Sequence, residues 1–308
     1  MQSLRVLLSS LNESRTIYLS KKIQLAKFAG FCYGVKRAVE TVKKLKQENQ
    51  DKNIFVLGEL IHNSQVIKEL DELGIKTVDV LPENETGICV IRSHGASPQV
   101  LDNIQKRGFE LVDLTCPDVK KVQQQAIQLA KEGDFVVIVG KAEHPEVVAI
   151  KANAEQFTDK IVVASDVTQL EMYANEIKEH KKVGVVVQTT QRIETLQSIL
   201  SYLVTLSKEI HLVNTICQST SMRQKEAKEL AQNNDLVVVV GSKKSANTTH
   251  LAEILQNITN TIHIENDDEL NNYSDLLSQS ENIAITAGAS TPQNIIDNVY
   301  NKIEGGQE

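Results

Sequence analysis

The chain of 308 residues is long enough to bury one large core or two to three small ones. Its 33 Lys and Arg against 40 Asp and Glu give a formal net charge of -7, which argues against an extended nucleic-acid surface, because such a surface needs a basic stripe to displace counterions from phosphates. Apolar runs such as Leu236–Val240 are far too short to cross a bilayer, and four widely spaced cysteines suggest a reducing, cytoplasmic setting in which the thiols are ligands or catalysts rather than disulfides.

Residues 1–22 open with a short apolar run at 4–8, shorter than a secretory core and poorer in Arg and Ser than a transit peptide, so they read as an extension. Beyond them, short β-branched runs recur at Ile54–Leu57, 89–92, Phe135–Val139, 160–164, 183–187, Leu236–Val240 and 283–286. Helical patterns fall between them, with Val35, Ala38, Val39, Val42 and Leu45 on one face and Val119, Val122, Ala126 and Leu129 on another. The alternation predicts parallel strands joined by crossover helices. Cys89, inside one strand, reads as core packing.

The chain also repeats itself. IFVLGELIHN from Ile54, VVIVGKAEHPEV from Val136 and VVVVGSKKSANT from Val237 are each an apolar strand closed by Gly58, Gly140 or Gly241, with His62, His144 or Ser245 four residues on. Cys32, Cys116 and Cys217 precede those glycines by 26, 24 and 24 residues. GASPQ at 95–99 echoes GASTPQ at 288–293, with Gln188, Thr189 and Thr190 at the matching place of the middle copy. Ser97 and Thr291 are then the expected N-caps, and Pro98 and Pro292 the first helical residues. The reading is a trefoil of three α/β units with mostly parallel sheets around a pseudo-threefold axis, at 23–115, 116–213 and 214–308, the first strand being free to pack with the third unit.

Each of the three cysteines opens a predicted helix, whose N-terminus favours a thiolate. Three thiolates meeting on an axis match three corners of a 4Fe-4S cubane whose fourth iron stays open as a Lewis acid. Zinc is the rival metal, but none of these cysteines has a CxxC partner. Around the same strand ends gather His62, Asn63, Ser93, His94, His144, Gln188, Thr189, Thr190, Ser245, Asn247 and Ser290, neutral or cationic donors beside helix N-termini that suit a diphosphate. Glu146 is the only carboxylate among the repeat positions; in a partly dry pocket it can relay a proton, with Thr189 and His144 carrying it onward.

With GFCYGV at 30–35, IHN at 61–63, SHGAS at 93–97, TCP at 115–117, EHPEV at 143–147, QTT at 188–190, GSKKSAN at 241–247 and TAGAS at 286–290, the chain resembles the LytB/IspH family of 4-hydroxy-3-methylbut-2-enyl diphosphate reductases over about residues 23–303. The resemblance implies a central 4Fe-4S cluster on Cys32, Cys116 and Cys217. It further implies that His62, His94, Ser245, Asn247 and Ser290 hold the diphosphate, while His144, Glu146 and Thr189 serve the substrate hydroxyl and proton delivery. The implied reaction is reductive loss of an allylic hydroxyl at the open iron. Three departures stand out: Ala246 where a second serine is common, Gln191 where an aliphatic residue is usual, and no counterpart to residues 1–22. With no GxGxxG, Walker loop or second cysteine cluster, electrons must come from a donor such as a ferredoxin or flavodoxin, for which the Lys43, Lys44 and Lys46 run is a candidate surface. Two other functions compete: a non-redox iron-sulfur dehydratase acting on a hydroxy acid, disfavoured by the absence of arginines among the strand-end residues, and a zinc-stabilised, non-catalytic binding protein.

Overall fold

The computed structural model describes residues 21–305, so the expected extension lies outside the described residues except for its last two positions. In chain order the strands are β1 (Lys22–Leu25), β2 (Ile54–Leu57), β3 (Ile75–Val78), β4 (Ile88–Ile91), β5 (Glu110–Asp113), β6 (Phe135–Val139), β7 (Ile161–Ala164), β8 (Lys182–Val187), β9 (Glu209–Leu212), β10 (Leu236–Val240), β11 (Asn260–Ile264) and β12 (Asn282–Ala287). They form three four-stranded sheets in the orders β3-β2-β4-β5, β7-β6-β8-β9 and β11-β10-β12-β1. Every pairing is parallel.

A parallel sheet covered by helices on both faces needs apolar side chains pointing both ways. The two inner strands of each sheet meet that need with runs that are apolar throughout in IFVL, ICVI, FVVIV, VGVVV and LVVVV and broken only by the buried Thr286 in IAITA. Each sheet accordingly carries one apolar core on either face. The helix Tyr33–Glu48 lays Ala38, Val39 and Val42 on Ile54 and Val56 of the first sheet. Its counterparts Pro117–Lys131 and Gln218–Gln232 place Val122, Ala126 and Leu129, and Ala227, Leu230 and Ala231, on the second and third. Cys89 is buried among Phe55, Ile91 and Phe109, as its strand position implies.

The sheets are threaded so that each hands the chain to the next. β5 is the outer strand of the first sheet and leads to Cys116; β9 ends the second and leads to Cys217. The third sheet takes the same strand from the other end of the sequence: β1 pairs with β12, Ile23 opposite Ile283, and leads to Cys32. Cys32, Cys116 and Cys217 therefore each lie between the edge strand of one sheet and the covering helix of another.

One expected cap is absent. Ser97 accepts from the N–H of Val100 and caps Pro98–Lys106, whereas the Thr291 hydroxyl donates to the Val240 carbonyl at 3.0 Å and the following helix is Gln293–Gly305. Thr291 is buried against the end of β10, where satisfying a strand carbonyl outweighs capping. Among the described residues no helix is long and apolar enough to cross a membrane.

The second sheet shows how closely helix and sheet approach. A Cβ on Gly184, in the middle of β8, would sit 2.9 Å from Cβ and 3.0 Å from Cδ1 of Leu129. Overpacking of this kind costs about 1–3 kcal/mol, so Gly184→Ala is expected to lower the urea unfolding midpoint, and an unchanged midpoint would show that this helix has room to move.

Candidate active site

Cys32, Cys116 and Cys217 are the N-cap residues of Tyr33–Glu48, Pro117–Lys131 and Gln218–Gln232. Their backbone N–H groups donate to Ala289 at 3.2 Å, Ser93 at 2.9 Å and Thr189 at 3.0 Å, in each case the carbonyl two residues beyond an inner strand, β12, β4 or β8. Ser93, Thr189 and Ala289 are thus the equivalent positions of the three copies. The echo of GASPQ in GASTPQ set Gly95 against Gly288; the fold instead matches Gly288 to Gln188 and Arg92, so that echo is three residues out of register in the first copy.

The three thiols line one cavity together with His62, His94, His144, Glu146, Thr189, Ser245, Asn247 and Ser290, and Ser93 and Thr190 line it too, whereas Asn63 caps Ser64–Glu72 and Gln188 accepts from the Lys141 N–H and donates to Thr190 away from the lining. Gly34 keeps the first helical turn clear: a Cβ there would lie 2.7 Å from Cys116 Sγ and 4.0 Å from Cys32 Sγ. The three sulfurs do not all fall within 4.8 Å of one another. A single tetrahedral zinc at about 2.3 Å from each would need them about 3.8 Å apart, so the three thiols would have to draw together to hold one. Thiolates were expected at these helix ends. Burial instead raises the Cys116 thiol and pushes Cys217 up to about 11, because removing water disfavours the charged form more than helix N–H groups favour it.

The imidazoles form a compact group. His62 stacks on His94 with ring centroids 4.7 Å apart, and His144 stands edge-on at 5.3 Å from His94 and 5.9 Å from His62. His62 Nδ1 is 2.9 Å from Glu59 Oε2. His144 Nδ1 accepts from the Glu146 N–H at 3.2 Å, which places the ring proton on Nε2. Burial holds His94 well below the usual imidazole range and His144 down at about 3, so both are neutral at pH 7. His94 Nδ1 and Asn247 Nδ2 are buried without a partner. Ser245 N-caps Ala246–Gln256 without using its hydroxyl on the backbone, and Ser290 Oγ donates to the His62 carbonyl at 3.2 Å across two units.

Glu146 lies in the first turn of Pro145–Ala154 at 1% exposure, in the dry setting that a proton relay needs. Thr189 clamps it, N–H to Oε1 at 2.6 Å and hydroxyl to Oε2 at 2.8 Å. Burial raises its carboxyl to about 7 against those hydrogen bonds.

Sequence reasoning missed Tyr33, Asp118 and Arg223. Tyr33 Oη donates to Asp118 Oδ2 at 2.8 Å and stands 4.0 Å from Cys116 Sγ, both residues lining the cavity. Arg223 is 3% exposed and donates to the carbonyls of Ala287 at 2.9 Å and Gly30 at 3.0 Å, its charge facing Cys32 and Cys217. The spacing Thr220, Arg223, Gln224, Ala227 marks the buried face of that helix and was a usable signal for the arginine.

Three parallel α/β units sharing one central pocket of thiols, imidazoles and a protonatable carboxyl define an enzyme whose site belongs to no single unit. The sequence profile described as LytB protein matches residues 23–304. The chain is 41% identical over 283 residues to a 4-hydroxy-3-methylbut-2-enyl diphosphate reductase of Syntrophotalea carbinolica, covering 92% of this chain and 98% of that one. A solved structure of (E)-4-hydroxy-3-methyl-but-2-enyl diphosphate reductase, described as the terminal enzyme of the non-mevalonate pathway, superposes with a TM-score of 0.68 at 36% identity over 92% of this chain and 99% of that chain. The E-1-hydroxy-2-methyl-but-2-enyl-4-diphosphate reductase from Plasmodium falciparum gives 0.80 at 27% identity over 92% and 87%. The chain belongs to the LytB family, and neither a non-redox dehydratase nor a zinc-held binding protein is favoured by these likenesses.

Raising a buried carboxyl from 4.5 to about 7 means that the folded chain keeps a proton that the unfolded chain loses. Stability therefore falls as pH rises through that window, by on the order of 3 kcal/mol. Glu146→Gln can keep both Thr189 contacts and has no such titration. Denaturant unfolding at pH 5 and pH 8 is expected to show the wild type losing stability relative to this variant, and parallel curves would mean that the carboxyl titrates in its ordinary range.

Proposed function

We propose that the protein is a 4-hydroxy-3-methylbut-2-enyl diphosphate reductase, replacing the allylic hydroxyl by hydrogen with two electrons and two protons to give isopentenyl and dimethylallyl diphosphates and water. The observation that carries this reading is Glu146: a fully buried carboxyl, protonatable near neutral pH, held by Thr189 inside the pocket of the three thiols.

Cys32, Cys116 and Cys217 fit a 4Fe-4S cluster, since all three donors are soft thiols, their spacing exceeds that of one zinc ion and Gly34 leaves their approach open. When bound, the cluster supplies electrons and, at the iron without a protein ligand, a Lewis acid beside the substrate hydroxyl. The surrounding side chains do the rest. Glu146 gives up a proton as the C–O bond breaks, which lowers the cost of losing water, and the Thr189 hydroxyl and His144 Nε2–H orient the leaving oxygen and pass the proton on.

A diphosphate offers acceptors only, and the pocket answers with donors. The buried, unpartnered Asn247 Nδ2 and His94 Nδ1, the free Ser245 hydroxyl at a helix N-terminus, His62 and Ser290 suit its oxygens. The backbone N–H of Ala246, in the first turn of that helix, takes the place of a serine hydroxyl. Four free cysteines suit a reducing cytoplasm. A ferredoxin or flavodoxin is the fitting reductant, but Lys43 pairs with Glu69, Lys44 with Glu48, and Lys46 donates to the Gln50 carbonyl, so that lysine run is largely satisfied at home.

Anaerobically purified protein is expected to be brown, with about four irons per chain, and Cys217→Ser to lose most of that iron; a colourless wild type that binds one zinc would overturn the cluster. With reduced protein and the allylic diphosphate, Glu146→Gln is expected to keep its iron and its affinity for pyrophosphate while turnover falls by a factor of about 100 or more. Undiminished turnover would remove Glu146 from the chemistry.

A further inference from the structure

The helix Pro117–Lys131 carries Cys116 at one end and Glu132 at the other, roughly 20 Å away. Beside that far end lie Asp134, at the entrance to β6, and His211 on the edge strand β9. We propose that Glu132, Asp134 and His211 form a second metal site, separate from the pocket, for a divalent transition-metal ion with Zn²⁺ the best suited. Each offers a donor atom, and these atoms lie within 4.8 Å of one another.

Asp134 is the reason to expect a cation rather than a plain ion pair. Its side chain has no solvent exposure; Oδ2 is 2.7 Å from His211 Nδ1, while Oδ1 is buried with no hydrogen-bond partner. A carboxylate oxygen stripped of water and donors is among the costliest groups to leave in a folded interior, and a metal ion meets it directly. The neighbours complete the arrangement. Glu132 is exposed and forms the open side, its Oε1 accepting from Gln128 Nε2 at 2.9 Å while Oε2 stays available. His211 Nε2 is 3.0 Å from Glu209 Oε1, the carboxylate-histidine contact that orients an imidazole for a metal on its other nitrogen. Glu209 is itself held by Lys182 at 3.2 Å. One nitrogen and two carboxylate oxygens, with water in the remaining position, satisfy zinc, and two negative ligands balance its charge.

The ion would fasten the end of the Cys116 helix to β9, a strand with one hydrogen-bonded neighbour, β8, whose continuation carries Cys217. Its role is structural and does not depend on the reaction proposed for the pocket.

The test uses the iron-loaded protein under anaerobic conditions with Zn²⁺ as the probe, comparing wild type, His211→Ala and Glu132→Gln by calorimetric titration and thermal unfolding. His211→Ala is expected to bind one equivalent fewer and to lose the zinc-dependent rise in Tm. Glu132→Gln, altered only at the surface, is expected to keep the metal-free Tm and bind zinc on the order of tenfold more weakly. Zinc captured by the thiols or the three imidazoles would appear equally in all three proteins. Identical stoichiometry and affinity across the three would overturn the site.

Discussion

Everything in this molecule depends on presenting three side chains from three distant stretches at a single point. The device is a hydrogen bond repeated three times: the backbone N–H of each cysteine donates to a carbonyl just past an inner strand, at Ala289, Ser93 or Thr189. Because each of these carbonyls lies only two residues past a buried inner strand, each thiol's position is set by the rigid scaffold of a sheet. The same strand-end loops carry Ser290, His94 and Thr189, so scaffold and chemistry are fixed by one set of contacts.

In the pocket that results, burial works against charge on several of the lining groups. Burial keeps the Cys116 and Cys217 thiols protonated, His94 and His144 neutral, and the Glu146 carboxyl half-protonated near pH 7. One physical cause, loss of water, acts on acids and bases in opposite directions and leads to the same neutral state. Such a pocket suits an anionic ligand and an inorganic core, each of which brings its own charge and would displace protons or recruit them on entry.

The inner strands were legible in the sequence because burial on both faces demands unbroken Val and Ile runs, as in LVVVV and FVVIV. The strands that were not legible, KIQL, IKTV, ELVD, EIHL and NTIHI, all lie at sheet edges, where one side of the backbone faces no neighbour and polar residues intrude. Among these only the apolar edge strand IVVA was visible. The site was legible to the extent that the repeat placed cysteines and polar residues at equivalent points. What composition could not give was depth. That Glu146 sits in the interior rather than on a helix surface follows from its contact with Thr189 in a different loop, and the raised Cys116 and Cys217 thiols follow from a burial that no spacing reveals. The false register of GASPQ against GASTPQ came from treating like words as like places; the cysteine N–H bonds, not the letters, mark equivalence.

The pairing of β1 with β12 has a consequence for how the chain reaches its native state. A ribosome delivers Lys22–Leu25 long before Asn282–Ala287, so the third sheet cannot close until β12 has emerged, whereas the first two can assemble from sequential segments. Non-local parallel pairing of this sort is slow. Cys32 therefore gains its backbone anchor after Cys116 and Cys217 have gained theirs, which makes nascent chains transiently incomplete at one corner of the triad.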